Sequence, residues 1–365
     1  MAAASARAGW YTNTANQTNV WLYRQKVTVN HASVSGTLAD FPVLVKITGS
    51  SNPLFSKALS TGNDILFTQA DGSTKITHEV EYYNSTTATL CAWVRMPSVS
   101  STEDTAAYMY YGCANAAAQG NANGAWDSNF IMVHHLEETS GHHLDSTASA
   151  NNSTFESVAA QGTQVGTIGG ADTFNGTSNR VITTTKNAAI SAGSICVLAN
   201  QTASNARTYM SGCYTGAYIN RLYLYDNTGP FTVNFSGTDV SSGFTIPLNT
   251  WHYYALTWSS TTAYIVYVDG VAKASGTVGT ALTAMSPTNY LGAYPDNNKW
   301  WAGKIDEFRW SKVQRSAQWL LTEWNTMSSP ATFITLSSEE KRPSVTLIGR
   351  NKLERRRWAE YIRGE

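Results

Sequence analysis

Residues 251–275 read WHYYALTWSSTTAYIVYVDGVAKAS, and this stretch decides the fold. Aromatic and β-branched residues, which favour strands, fill the runs 251–259 and 263–268. Asp269-Gly270 follows the second run and has the composition of a two-residue hairpin turn, after which a third run covers 271–275. The pattern predicts consecutive antiparallel strands joined by tight turns.

Similar short runs recur along the chain. They cover most of residues 22–112 and 180–311, and they are broken by Gly, Pro, Ser and Asn, with a second hairpin turn at Asp71-Gly72. Short, closely spaced strands of this kind indicate antiparallel sandwiches. Residues 139–179 are rich in Ser, Thr, Asn and Gly, so we expect mostly loop there.

Two helices are predicted near the end of the chain. Ser316 is a suitable N-cap, and Ala317, Leu320, Leu321 and Trp324 follow it at helical spacing. A second helix is predicted over Lys352–Ile362. The chain is therefore expected to be mainly β, with one short helix near the end of its second sandwich.

The composition excludes several classes of partner. Of 365 residues only 14% are charged, and Lys plus Arg equals Asp plus Glu at 25 each. Because the net charge is zero, no overall electrostatic attraction draws the chain to nucleic acid or to an anionic membrane. We therefore expect neither partner. Residues 1–20 contain no apolar run that fits a signal peptide or a membrane span. The many Tyr, Trp, Thr, Ser and Asn residues suit contact with neutral polymers instead.

The chain is long enough for two domains with separate cores. We predict an N-terminal arm (1–19), a small β-sandwich (20–128), a larger β-sandwich (129–328), a return segment (329–340) and a basic tail (341–365). The tail contains Arg355-Arg356-Arg357, Trp358 and Tyr361, side chains of a kind that anchors interfaces. We therefore expect the tail to contact another subunit, in a homo-oligomer or a particle, or a different partner.

Ordered motifs fill the larger domain: HLEETSG at 135–141, DS at 145–146, ADTFNG at 171–176, WHYYA at 251–255, YVDG at 267–270 and GKIDEFR at 303–309. In this order they make the domain resemble the laminin-G-like domains of the concanavalin-A-like lectin/glucanase superfamily. The resemblance implies a jelly-roll sandwich.

The smaller domain carries motifs of its own: WLYR at 21–24, DFPVLV at 40–45, DILFT at 64–68, HEVE at 78–81, AWV at 92–94 and YMYYG at 108–112. It resembles a domain of unknown function that precedes laminin-G-like domains in bacterial and archaeal surface proteins. SPATF at 329–333 and SEE at 338–340 are similar to the usual ending of this pair. The resemblance implies a surface or adhesion context and names no reaction.

From these features we predict a non-catalytic recognition or structural module, displayed on a cell surface or a virus particle, that binds a carbohydrate or a protein. One alternative is an architectural subunit of a phage, a virus or a surface filament, assembled through the tail. Another is a glycoside hydrolase with an unrecognised acid pair, since retaining enzymes need two carboxyls about 5 Å apart. The larger domain lacks the Glu-x-Asp-x-x-Glu motif of the superfamily's glucanases, and Glu79-Val80-Glu81 is interpreted as a charged outer strand face.

Metal ligands are present in two patterns. The first is a crowded stretch of His134, His135, His142 and His143 with Glu137 and Asp145. Zinc there is disfavoured, because adjacent histidines on a strand point to opposite faces. Calcium is the preferred hypothesis, because sandwiches of this superfamily often hold it at the loop rim through Asp and Asn oxygens. Asp172 and Asp226 are the main candidate ligands, and Asp239, Asp296 and Asn297 are further candidates.

The candidate ligand-binding residues lie in one loop of the larger domain. Trp300 and Trp301 are neighbours, so in an extended segment one should pack and the other should be exposed. Tyr294, Asp296 and Asn297 precede them. An aromatic face can stack on a sugar ring while amides bond its hydroxyls, so Trp300, Tyr294, Asp296 and Asn297 are predicted to bind carbohydrate. The alternative is a loop held in place by its own aromatic side chains.

Four cysteines fall two to each domain. Hairpins formed by runs 89–96 and 106–112, and by runs 194–200 and 208–212, would bring the members of each pair together. If disulfides form, we predict Cys91–Cys113 and Cys196–Cys213, because cross-strand neighbours meet the required Cα distance of about 4.4–6.8 Å. The alternative is four buried thiols.

Overall fold

The computed structural model describes residues 9–13, 15, 19–163, 166–185, 191–204, 207–213, 222–259, 262–279, 288–296 and 299–343. Asn297, the predicted helix over 352–362 and the tail beyond residue 343 lie outside the described residues. Within those ranges, no helix has the length and apolar character needed to cross a membrane.

The described chain is built mainly of β-strands. In chain order they are β1 (Tyr23–Val29), β2 (Leu38–Thr48), β3 (Leu66–Gln69), β4 (Lys75–Ile76), β5 (His78–Asn84), β6 (Thr89–Val99), β7 (Thr105–Tyr111), β8 (Phe130–His134), β9 (Ser153–Ser157), β10 (Ala160–Thr163), β11 (Ala171–Asn175), β12 (Arg180–Thr184), β13 (Gly193–Gln201), β14 (Thr208–Cys213), β15 (Leu222–Asp226), β16 (Pro230–Phe235), β17 (Thr238–Thr245), β18 (Trp251–Trp258), β19 (Ala263–Val268), β20 (Val271–Thr277), β21 (Thr288–Leu291), β22 (Ala302–Ser311), β23 (Ile334–Leu336) and β24 (Glu340–Lys341). The helices are α1 (Leu54–Lys57), α2 (Ala122–Ala125), α3 (Ala317–Ser328) and α4 (Pro330–Phe333), with a 3₁₀ turn at His31–Ser33.

Four antiparallel sheets form two sandwiches. In the first sandwich, one sheet has the order β23-β1-β7-β3-β4, with β24 also paired to β1, and the other has the order β2-β6-β5. In the second, an eight-stranded sheet has the order β10-β11-β22-β13-β18-β19-β20, with β8 also paired to β22, and a seven-stranded sheet has the order β17-β16-β15-β14-β21-β12-β9. Strands β23 and β24 return to the first sandwich after the second is complete. The predicted mainly-β fold is confirmed.

The strongest local signals of the sequence form the predicted structure. Asp269 and Gly270 have φ angles of 54° and 72°, as a type I′ hairpin turn requires, and Val268 pairs with Val271 across them. The side chain of Ser316 accepts a hydrogen bond from the Trp319 amide and caps α3. Local turn and cap chemistry therefore fixes these boundaries.

Most of the described residues in 139–179 lie outside strands, as predicted, but three short strands interrupt the loop. This stretch contains β9, β10 and β11. Strands β9 and β10 have the sequences STFES and AQGT and lie at the edges of their sheets. An edge strand buries less of itself than a central strand, so a segment this polar can pair without the apolar alternation that predicts a strand.

The eight-stranded sheet is covered on both faces. On β13, Val197 packs into the core between the two sheets of the second sandwich, whereas Leu198 packs into the core of the first sandwich. On β18, Tyr254 packs into the core of the second sandwich and Tyr253 into the core of the first. Because alternate residues of a strand face opposite sides, the two sandwiches share one continuous interface through this sheet.

The predicted disulfides are wrong, and all four thiols are free and buried. Cys91 lies on β6, which pairs with β2 and β5, while β7, which leads to Cys113, lies in the other sheet. Cys196 and Cys213 lie on β13 and β14, which also belong to different sheets. The hairpins assumed for the pairing do not form, because in each case the chain crosses from one layer of its sandwich to the other.

Candidate functional site

A row of directly paired residues crosses the seven-stranded sheet from β9 to β17. Its members, in order across the sheet, are Phe155, Ile182, Tyr290, Gly212, Tyr223, Asn234 and Asp239. Residues directly opposed on neighbouring strands point to the same face of a sheet. We call this set the transverse row.

The transverse row lies on the outward face of the second sandwich. Val181, Leu291, Leu224 and Val233, which flank row members on four of the strands, are all buried in the core between the two sheets. Since side chains alternate along a strand, the row members between them point away from that core. The row therefore forms part of the outer surface of the jelly roll.

One end of the transverse row is accessible to solvent. Phe155 is 41% exposed, and Ile182 and Tyr290 are half-buried. The Arg180 guanidinium carbon lies 4.9 Å from the centre of the Phe155 ring and 5.9 Å from that of Trp300. This end thus combines aromatic faces with a cation held beside them, and we call Phe155, Ile182, Tyr290, Arg180 and Trp300 the aromatic platform.

Next along the row, Tyr223 belongs to a cluster of packed tyrosines with Tyr209, Tyr225 and Tyr294. The Tyr209 ring stacks on Tyr225 at 4.8 Å, and the Tyr294 ring lies 5.0 Å from Tyr209 and 5.2 Å from Tyr223. Burial, followed by the nearby charge of Asp239, raises the pKa of Tyr225, so its hydroxyl stays protonated. These rings are 1–3% exposed except for the half-buried Tyr294. Because these rings are mostly buried, the cluster stabilises the sheet and offers little surface to a ligand.

The loop residues predicted to bind a ligand are divided between these two groups. Trp301 is fully buried between the sheets and Trp300 is half-buried, as expected of neighbours that face opposite ways. Trp300 thus joins the aromatic platform, whereas Tyr294 packs on the tyrosines. Asp296 is exposed in the same loop.

The two main candidate calcium ligands lie in different sheets and already accept hydrogen bonds on both oxygens. Asp172, on β11, contacts the His143 ring at 2.8 Å and accepts from the Gly162 amide. Asp226, at the end of β15, accepts from the Gln201 side chain, the Ser204 hydroxyl and the Gly229 amide. A calcium ion at either carboxylate would share its oxygens with these donors, and the structure does not bring the two residues together.

His143 lies between two carboxylates. Its Nδ1 is 2.7 Å from Glu138 and its Nε2 is 2.8 Å from Asp172, and the ring is fully buried. Burial alone would lower the pKa of His143, but the hydrogen bonds to Asp172 and Glu138 outweigh it and raise the pKa to about 9. The ring is therefore a buried cation that ties β11 to the loop after β8.

We expect part of the stability of the chain to be lost between pH 6.5 and pH 9. An unfolded histidine has a pKa of about 6.5, and the folded value for His143 is about 9. The contribution is therefore complete below pH 6.5 and is lost as the pH rises through 9. Melting temperatures measured across this range should fall more for the wild type than for His143→Gln. The exposed His142→Gln is the control, and parallel curves for wild type and His143→Gln would contradict this assignment.

The interpretation of Glu79-Val80-Glu81 as a charged outer face is wrong. Glu79 and Glu81 are buried and lie at the junction of the two sandwiches. The indole of Trp126 donates to Glu79 at 2.8 Å, and that of Trp93 donates to Glu81 at 2.7 Å. Each indole N–H satisfies one oxygen of its carboxyl group, which lowers the cost of burying it.

A second group of charges meets these glutamates from the other sandwich. His135 contacts Glu307 at 2.8 Å, and Arg309 donates to Glu307 at 2.6 Å and to Glu323 of α3. The Arg309 guanidinium also lies 4.2 Å from the centre of the Trp93 ring. We call Glu79, Glu81, His135, Glu307, Arg309 and Glu323 the junction cluster. It links the first sandwich, the eight-stranded sheet and α3.

Neither the transverse row nor the junction cluster was recognised from the sequence. The row draws one residue from each of seven strands, and the cluster joins residues as distant as Glu79 and Glu323. The signal that the sequence does contain is the alternation of apolar and polar side chains along each strand. Tyr290, for example, directly precedes the buried Leu291. Alternation shows which face a residue takes, but it does not show which strand lies beside it.

Two family models match the chain. Residues 61–155 match the model described as Domain of unknown function (DUF2341), and residues 175–320 match that described as Concanavalin A-like lectin/glucanases superfamily. The resemblance of the two domains, in this order, is confirmed. No curated protein matched the sequence.

Solved structures similar to the chain include carbohydrate-associated and toxin domains. Domain 4 of an extracellular arabinanase from Geobacillus stearothermophilus, in complex with arabinotriose, is 18% identical, with a TM-score of 0.42 over 53% of this chain and 97% of that one. The botulinum neurotoxin serotype D ligand-binding domain, in complex with N-acetylneuraminic acid, is 14% identical, with a TM-score of 0.43 over 56% and 52%. The binding domain of Paraclostridial Mosquitocidal Protein 1 is 11% identical, with a TM-score of 0.46 over 55% and 53%. The chain spans about half the length of the two toxin domains.

Proposed function

We propose that the chain is a non-catalytic recognition module whose larger sandwich binds a neutral polysaccharide along the transverse row. The observation that carries the proposal is the alignment of Phe155, Ile182 and Tyr290 across three neighbouring strands. Adjacent strands are about 4.8 Å apart, so the three positions extend over about 10 Å. A sugar chain lying across the strands can meet all three.

The aromatic platform has the chemistry that such a ligand needs. The aromatic side chains of Phe155, Tyr290 and Trp300 can stack on the apolar side of a sugar, and the Arg180 guanidinium lies over the Phe155 and Trp300 rings. The superfamily that residues 175–320 match includes lectins, which bind sugars. An open surface of this kind should bind with a dissociation constant in roughly the micromolar to millimolar range, or about 4–8 kcal/mol.

Among its described residues, the transverse row contains a single carboxylate. Asp239 is the carboxylate of the transverse row, and the Asn234 side chain donates to it. Glycoside hydrolysis requires two carboxyls, about 5 Å apart in retaining enzymes and about 6.5–9.5 Å apart in inverting ones. We therefore propose binding without turnover, at an exposed cell surface or on a virus particle. Release of reducing sugar from any polysaccharide by the wild type would overturn this.

A glycan array probed with the full chain, with and without calcium, tests the proposal and the calcium hypothesis together. We expect binding to uncharged polysaccharides that does not depend on calcium. Trp300→Ala and Tyr290→Ala should each weaken retention by about tenfold or more, equivalent to about 1.4 kcal/mol. Leu248→Ala, which truncates an exposed apolar side chain elsewhere in the same sandwich, is the matched control.

Three outcomes would contradict the proposal. One is binding to no glycan on the array. Another is equal retention of Trp300→Ala, Tyr290→Ala and the Leu248→Ala control. The third is loss of retention only when a platform variant also unfolds, which would show packing instead of ligand contact.

A further inference from the structure

Three side chains of metal-ligand type converge inside the junction cluster: Glu81 from the first sandwich, and His135 and Glu307 from the second. One donor atom from each lies within 4.8 Å of the other two. His135 Nδ1 is 2.8 Å from a Glu307 oxygen and 3.5 Å from a Glu81 oxygen. All three side chains are at most 4% exposed, so water does not screen their charges.

The backbone is distorted at two points to bring these carboxylates together. The pairing of β5 with β6 skips Glu81, and the pairing of β22 with β13 skips Glu307. Each irregularity is a bulge, a device that redirects a side chain and is common beside functional sites. Glu307 also has a φ of 50°, a left-handed conformation that residues other than glycine seldom adopt. Strain of this kind points to a required side-chain position.

The second nitrogen of His135 is oriented as in metal sites. Its Nε2 lies 3.3 Å from a Glu79 oxygen, and that carboxylate is fixed by Trp126 and by the Ser146 hydroxyl. A metal-binding histidine usually donates its other ring N–H to a carboxylate, which leaves the opposite nitrogen free to ligate. Here the nitrogen left to ligate is Nδ1, the one that faces Glu81 and Glu307.

One carboxylate oxygen of this group has no hydrogen-bond partner in the described chain. It is Oε1 of Glu81, whose side chain is fully buried. A buried polar atom without a partner costs about 1–3 kcal/mol, and more if it is charged. A cation bound by both oxygens of Glu81 would satisfy it. The neighbouring Gly169 has a φ of 56°, and a Cβ there would lie 2.3 Å from this oxygen, so the loop leaves Oε1 room that any other residue would take.

Buried carboxyl groups also outnumber basic side chains at the junction. The buried carboxyls are Glu79, Glu81, Asp306, Glu307 and Glu323. Against them stand the Arg309 guanidinium and the His135 ring. A cleft of about 350 Å³, lined by Asn63, Tyr83, Gln119 and Asn121 among others, reaches Glu79 from the surface.

We propose that Glu81, His135 and Glu307 form a site for a divalent transition-metal ion that ties the first sandwich to the second. Imidazole combined with carboxylates suits ions such as Zn²⁺, with Glu79 fixing the histidine from behind. Binding displaces the proton between His135 Nδ1 and Glu307, and this proton is released to solvent. The surrounding indoles exclude water, so the role is structural and independent of carbohydrate binding on the opposite sheet.

The test uses untagged full-length chain, unfolded in guanidinium with EDTA and refolded with or without Zn²⁺. After removal of free metal, the wild type should retain about one zinc per chain by elemental analysis and melt at a higher temperature than the metal-free form. Glu81→Gln and Glu307→Gln should lose the zinc, and Glu79→Gln should weaken its binding by about 10–100-fold. His143→Gln, which alters another buried histidine held by two carboxylates, is the matched control and should keep it.

Cobalt refolding gives a second readout, since direct ligation produces a visible absorption band that Glu81→Gln should lack. The proposal would be overturned if the wild type refolds without stoichiometric zinc and melts at the same temperature with and without it. In that case a hydrogen bond, and not a metal ion, joins His135 to Glu307. Zinc retained by both glutamine variants but lost by His143→Gln would also overturn it. If a glutamine variant does not fold, the comparison of wild type with and without metal decides alone.

Discussion

Replacing Arg309 by methionine should lower the free energy of unfolding by about 3–5 kcal/mol. Arg309 is 1% exposed and binds both Glu307 and Glu323, so its removal leaves buried Glu323 without its cation and Glu307 with His135 alone. Its guanidinium also loses contact with the rings of Trp93 and Trp126. The loss should appear as a lower denaturant midpoint with an unchanged slope.

A surface ion pair supplies the control. Arg95 pairs with Asp40, and both side chains are substantially exposed. Arg95→Met should therefore change stability by at most about 1 kcal/mol. Adding Glu323→Gln to Arg309→Met should recover part of the loss, since one stranded carboxylate becomes neutral. If Arg309→Met proves no more destabilising than Arg95→Met, the junction cluster does not hold the sandwiches together.

The sequence predicted those features that depend on neighbouring residues. Asp269-Gly270 forms a tight turn wherever strands flank it, and Ser316 caps a helix with a hydroxyl that reaches only three residues ahead. Long apolar runs such as Trp251–Trp258 are buried on both faces and were therefore easy to recognise. These interactions are local, so a single sequence contains the information for them.

The remaining features depend on how strands are ordered in space. Cys91 and Cys113 appeared to be hairpin neighbours, but the chain between β6 and β7 crosses to the other sheet. Glu81 appeared to face solvent because the second sandwich that covers it could not be seen in the sequence. The bulges at Glu81 and Glu307 break the period of two on which face assignment rests. These features are set by long-range strand register, which the chemistry of neighbouring residues does not specify.

The two candidate sites lie on opposite sides of the eight-stranded sheet. The transverse row is on the far face of the seven-stranded sheet, whereas the junction cluster lies between the eight-stranded sheet and the first sandwich. A ligand on the row can therefore bind without disturbing the junction. Under the proposed function, one face of the jelly roll binds the ligand while the other packs against the first sandwich.

The adjacent residues Trp300 and Trp301 should respond very differently to truncation. Trp301 is fully buried among Phe174, Ile305 and other residues of the core, so Trp301→Ala should cost about 3–5 kcal/mol. Trp300 is half-buried at the surface, and Trp300→Ala should cost less than about 1 kcal/mol. Unfolding in denaturant, followed by circular dichroism, measures both losses. If Trp300→Ala destabilises the chain as much as Trp301→Ala does, its ring belongs to the core, and the aromatic platform loses the side chain proposed to stack on the ligand.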